Sequence, residues 1–147
     1  MSNNSLLTQQ LEALLKDETN TVANLANAAA LLNQSLNQIN WVGFYLYQPE
    51  TDQLDLGPFQ GKVACMHIIN GTGVVGTAFA QQKTQVVADV HQFKGHIACD
   101  SATNSEIVVP LANQKGVLDI DSVQFNHFSQ ADQAELENFV VALNHYL

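Results

Sequence analysis

The sequence predicts an α+β domain: a central, mostly antiparallel sheet with helices packed on one face and a small-molecule pocket on the other. Three observations carry this expectation. Apolar residues recur at helical spacing near both ends of the chain, and they alternate with a period of two between those ends. Each strand-like run keeps one face apolar, while polar and aromatic residues gather on the opposite parity. No internal repeat and no Pro-, Gly- or Ser-rich linker divides the 147 residues, so 1–147 reads as one domain with volume for a core.

Taken in order, Leu7, Leu11, Leu14 and Leu15 predict a helix over 5–16. Val22, Leu25, Ala29 and Leu32 predict a second over 20–38, with Asn and Gln residues on its polar face. Sheet and loops then occupy about 40–122. "NWVGFYLYQ" and "QLDLGPFQ" flank "PETD", a hairpin turn, and "QVVAD", "SEIVVPL" and "GVLDID" are further strands. A last helix covers about 129–146. Ser129 is its N-cap, and Asp132, Glu135 and Glu137 stand early, where they suit the helix dipole.

Composition narrows the function. Hydrophobic residues make up 46%, which suits a folded globule. The net charge is −9, and the 5 basic residues are scattered singly, so no basic stripe exists to displace counterions from nucleic acid. No apolar run approaches the roughly 20 residues of a membrane span. The N-terminal segment lacks the basic start and apolar run of a secretory signal, so a cytoplasmic protein is expected. "GTGVVG" matches GxGxxG, but Asp89 comes too early to be the ribose-binding acid of a dinucleotide site, and the surrounding pattern is not β/α alternation. The segment reads as a turn whose glycines permit tight backbone.

Strand parity is the most informative signal. Val42, Phe44 and Leu46 share one face, as do Ile107, Val109 and Leu111, and Leu118 and Ile120. The opposite faces collect Trp41, Tyr45, Glu106, Asp119 and Asp121. A solvated sheet face is one explanation. However, Asp is disfavoured in strands, and paired carboxylates on one face repel unless a cation is expected. Acids beside Trp and Tyr suit an ammonium-bearing small molecule. The same crowding can keep one carboxyl protonated as a general acid.

The two cysteines, Cys65 and Cys99, lie 34 residues apart. Cys99 is compatible with three roles: a buried structural thiol, a metal ligand and a nucleophile. It precedes the Glu106 strand, which places a thiol near the acidic pocket; His91 and His96 would favour its thiolate and the acids would oppose it. Cys65, within "KVACMHI", reads more readily as a core thiol. No CxxC or HExxH is present, so a metal site would have to be assembled from His67, His91 and His96 with the cysteines, and none is expected.

The segments "NWVGFYL", "LGPFQGKVAC", "DVHQFKGHIACDSATNSEIVVPL" and "GVLDIDS" closely resemble the free methionine-(R)-sulfoxide reductases, a single-domain GAF family, in the same order from about Thr19 onward. The resemblance implies a GAF fold and reduction of free methionine (R)-sulfoxide to methionine without metal or organic cofactor. It implies Cys99 as nucleophile and Cys65 as resolving thiol, joined in a transient disulfide that thioredoxin or a similar dithiol reduces. It also implies Glu106, Asp119 and Asp121 as substrate-binding and acid groups, Trp41 and Tyr45 as pocket walls, and a homodimer. Two departures stand out. Val75 occupies the position of a third family cysteine, and the 112–116 connection before Asp119 is shorter than usual. An odd register slip there would turn both aspartates away from the pocket; their orientation is expected to be retained. The competing expectations are a GAF sensor that binds a small ligand without chemistry and a structural dimer module.

Overall fold

A computed structural model of the chain describes residues 4–147; the first three positions of the predicted N-terminal segment lie outside it. The five predicted runs form β1 (Ile39–Gln48), β2 (Gln53–Gly61), β4 (Gln85–Val87), β5 (Ser105–Pro110) and β6 (Gly116–Ser122), and a short strand that was not among them, β3 (His67–Ile69), follows β2. They pair in the order β3-β2-β1-β6-β5-β4, antiparallel throughout.

One face of this sheet carries α1 (Leu6–Leu15), α2 (Thr21–Ser35) and α4 (Gln130–Leu143). Leu11, Leu25, Leu32, Phe139 and Leu143 from these helices pack on Val42, Phe44, Ile107, Val109, Leu118 and Ile120, the apolar parity of the three central strands. Each helix begins on a side-chain cap that satisfies an otherwise unpaired N–H. Ser5 Oγ accepts from Thr8, Asn20 Oδ1 accepts from Ala23, and Ser129 forms a reciprocal capping box with Asp132. Two helices end earlier than predicted. Past Ser35 the backbone turns extended at Leu36, and Gln38 takes a left-handed conformation that feeds β1. Past Leu143 the chain tightens into a single 3₁₀ turn, Asn144–Tyr146. Leu14 and Val22, expected in the apolar stripes, instead face solvent.

The second face is not left to a pocket alone. α3 (Gly73–Gln81) grows out of "GTGVVG" and packs Val74, Val75, Ala78 and Phe79 over Trp41, Tyr45, Val108 and Val117. Gly76 permits this close strand–turn–helix approach: a Cβ there would lie 2.7 Å from the Ile69 carbonyl oxygen. The segment is thus a helix start as well as a turn.

The short β5–β6 connection is a tight turn over Ala112–Gln114, closed by the Leu111 N–H donating to the Gly116 carbonyl at 2.9 Å. Asn113 and Gln114 take left-handed conformations to make it. The strand register beyond is continuous, pairing Pro110 with Val117, Val108 with Asp119 and Glu106 with Asp121. No odd slip has occurred, and both aspartates keep the parity of Glu106. No described helix is long and apolar enough to cross a membrane.

Candidate active site

The register that fixes the core also assembles a pocket on the opposite parity. β6 lies between β5 and β1, pairing Asp121 with both Glu106 and Trp41, and Asp119 with both Val108 and Gly43. Since side chains alternate across a strand, Glu106, Asp119, Asp121, Trp41 and Tyr45 converge on one side. All five line a narrow pocket, together with the first residues of α3, His96, Cys99, Asp100 and Thr103. Val75, at the position of the third family cysteine, lines it too.

Carboxylate oxygens of Glu106, Asp119 and Asp121 lie within 4.8 Å of one another, and all three residues are buried. Burial, followed by the charges of Asp119 and Asp121, pushes the Glu106 carboxyl well above its ordinary range. Asp121 is pushed well up by burial and then by the charge of Asp119. Asp119 is raised by burial, against hydrogen bonds from its two neighbours that favour its charged form. The buried Oδ1 atoms of Asp119 and Asp121 have no hydrogen-bond partner in the protein. Such a cluster resists full ionisation and offers strong acceptors to a cation that enters.

The aromatic wall is fixed from behind. Trp41 stacks between Tyr45 and Phe59, with ring centroids 5.8 and 5.2 Å away. Its indole N–H donates to the Lys62 carbonyl at 3.1 Å, and the Tyr45 hydroxyl donates to the Cys65 carbonyl at 2.9 Å. Both pocket walls therefore anchor the segment that carries Cys65. Burial, then the three carboxylates, raises the Tyr45 hydroxyl far beyond physiological pH, so it remains a donor.

Cys65 and Cys99 form a disulfide with Cα atoms 5.3 Å apart, within the usual span of roughly 4.4–6.8 Å. Both are half-buried; Cys65 packs at the edge of the apolar cluster on the second face, as a core thiol would, but it is bonded to Cys99 rather than free, and its neighbours Val63 and Met66 face solvent. Cys99 lines the pocket, whereas Cys65 does not.

Asn40, Asp100 and Thr103 escaped the sequence reading. Asn40 Nδ2 donates to Asp100 Oδ2 at 2.9 Å and to Thr103 Oγ1 at 3.1 Å, tying the Cys99 loop to the start of β1. Asp100 Oδ1 accepts from the Ala102 N–H, a local turn that the "CDSAT" hydroxyl- and acid-rich run could have signalled. His96 lines the pocket with its Nδ1 buried and unpartnered, and burial, then His91, lowers its pKa. The histidines do not converge on a metal site. His67 is exposed and pairs with Asp55 at 2.6 Å, and His91 bonds Asn104. Among the described residues, only Glu106, Asp119 and Asp121 group closely enough to share an ion.

Comparison with known proteins gives a consistent picture. The GAF domain family matches residues 10–145. Free methionine-R-sulfoxide reductase of Escherichia coli is 51% identical over 144 residues, covering 96% of this chain and 86% of its own length. Among solved structures, the reduced form of fRMsr of Staphylococcus aureus superposes with a TM-score of 0.93 at 51% identity, covering 100% of this chain and 96% of that one. The free methionine-R-sulfoxide reductase of Neisseria meningitidis, solved with its substrate, gives a TM-score of 0.91 at 44% identity, covering 95% and 85%.

Proposed function

The chain belongs to the free methionine-R-sulfoxide reductases of the GAF family, and on that premise we propose how its own residues reduce free methionine (R)-sulfoxide. The observation that carries the proposal is the disulfide at the pocket: Cys99, on the lining, is joined to Cys65 beside an enclosed carboxylic-acid cluster.

The substrate's ammonium group binds among Glu106, Asp119 and Asp121, where the unpartnered Oδ1 atoms of the two aspartates gain a donor, and its side chain lies against Trp41 and Tyr45. In the reduced enzyme the Cys99 thiolate attacks the sulfoxide sulfur. The sulfoxide oxygen must be protonated as the S–O bond breaks, and the raised carboxyl of Glu106 supplies that proton. Overall, Cys99 thiol and sulfoxide yield methionine and a Cys99 sulfenic acid. The Cys65 thiol then displaces water from the sulfenic acid and leaves the disulfide. Thioredoxin or a similar dithiol returns both thiols. A switchable rather than permanent disulfide supports a reducing, cytoplasmic compartment, and the family resemblance supports a homodimer.

The test is methionine formation from the free R-sulfoxide with dithiothreitol as reductant. Wild type turns over and Cys99→Ser does not. Ligand binding without turnover by the wild type would make the protein a sensor and overturn the catalytic reading.

A further inference from the structure

The disulfide is asymmetric: Cys99 lines the pocket, while Cys65 sits outside the lining on an irregular segment between β2 and β3. The residues around it are the unusual feature. Val63 is 89% exposed and Met66 70% exposed, one on either side of Cys65, and Ile97 is 38% exposed two residues before Cys99. The bond joins the segment that carries Val63 and Met66 to the loop that carries Ile97, which also lines the pocket beside Gly73. Val141, also exposed, lies on a different element, α4. The Val63–Met66 segment is also rigidly presented, since Trp41 and Tyr45 hold the carbonyls of Lys62 and Cys65. Solvent-exposed Lys62 adds a cation to the edge of this patch on a chain of net charge −9. An incoming thiolate is thereby attracted at close range.

We propose that Val63, Met66 and Ile97 form the docking surface for a dithiol protein reductant, whose thiolate attacks Sγ of Cys65 rather than Sγ of Cys99. Attack must be collinear with the S–S bond, and only the Cys65 end is free of the pocket. A bond forms between the reductant sulfur and Cys65, the Cys65–Cys99 bond breaks, and Cys99 leaves with the electron pair as a thiolate already on the pocket wall. The reductant's second thiol then attacks the mixed disulfide, releasing Cys65 and oxidising the reductant by two electrons. The inference rests on the reductase reading above and adds to it which sulfur is attacked and what guides the attack.

The experiment compares dithiothreitol with thioredoxin as reductant for wild type, a Val63→Asp/Met66→Asp double variant and a Val141→Asp control on α4. The double variant should lose at least tenfold in kcat/KM for thioredoxin while its dithiothreitol-supported rate is unchanged, and the control should lose neither. Thioredoxin lacking its second active-site cysteine, mixed with the oxidised wild type, should be trapped on Cys65 by peptide mass mapping. Equal loss with both reductants, no loss with thioredoxin, or an adduct on Cys99 would overturn the proposal. So would a change in the mass of the double variant by light scattering, because the patch would then join copies of this chain. Failure of the reductase reading appears separately, as absence of dithiothreitol-driven turnover in the wild type, and the trapping arm still reports which sulfur is attacked.

Discussion

Glu106 stands in the most unusual environment of any single residue in the pocket: enclosed, and facing two further carboxyls. Its raised pKa follows first from lost hydration and then from the charges of Asp119 and Asp121. A carboxyl whose protonated form is favoured in this way can donate to the sulfoxide oxygen, so single-turnover methionine formation by reduced enzyme should fall as pH rises through this group's titration. Glu106→Gln should slow that turnover by about 10²–10⁴-fold and remove that limb of the pH profile. An unaltered profile would exclude Glu106 as the acid. Parity alone placed this residue with Trp41, Tyr45, Asp119 and Asp121, because a period of two is decisive wherever the other face is packed. Asn40, Asp100 and Thr103 were not legible in the same way. Their hydrogen bonds span 60 and 63 residues of sequence, and no local pattern records such a partner.

Among the elements, the β5–β6 hairpin decides whether the aspartates reach the pocket. The short connection works because Gly116 crosses β1 without a side chain: a Cβ there would lie 2.1 Å from the Tyr45 carbonyl oxygen, and its φ of +154° is rarely adopted by other residues. Gly116→Ala must therefore push β6 away from β1 at the point where both lead into the site. We expect a loss of at least about 2–3 kcal/mol in urea unfolding, together with weakened binding of methionine. A variant as stable as the wild type would mean the strand pair yields more easily than this packing implies. The turn, its flanking strands and the Ser129 cap were all visible in the sequence. The early end of α2 was not, because it is imposed by the entry angle of β1 rather than by a breaker residue. The helical extent of "GTGVVG" was likewise hidden by three glycines that suit tertiary approach and weaken local helix propensity.

At the scale of the whole molecule, two features set stability against function. The disulfide closes a loop of 34 residues, and a loop of that size stabilises a fold by about 3–5 kcal/mol through the unfolded chain. Thermal unfolding should therefore occur at a lower temperature after reduction, and Cys65→Ser should match the reduced wild type with or without dithiothreitol. The acid cluster acts in the opposite direction. Glu106, Asp119 and Asp121 all have folded-state pKa values raised above those of the unfolded chain. Between the ordinary carboxylate range near pH ~4 and the raised values, the unfolded state binds fewer protons than the folded one. Their contribution to stability is thus greatest below the ordinary range and is lost as pH rises through the raised pKa values. Replacing one charge-bearing member with an amide removes part of that loss. Reduced, ligand-free Asp119→Asn should unfold at a higher temperature than reduced wild type at about pH 8, and the advantage should shrink as pH falls toward about 4. Methionine, which brings an ammonium group to the cluster, should narrow the gap by stabilising the wild type more than the variant. A variant less stable than the wild type at both pH values would show that the enclosed carboxyls hold the sheet together, and that their charge is not a strain relieved by substrate.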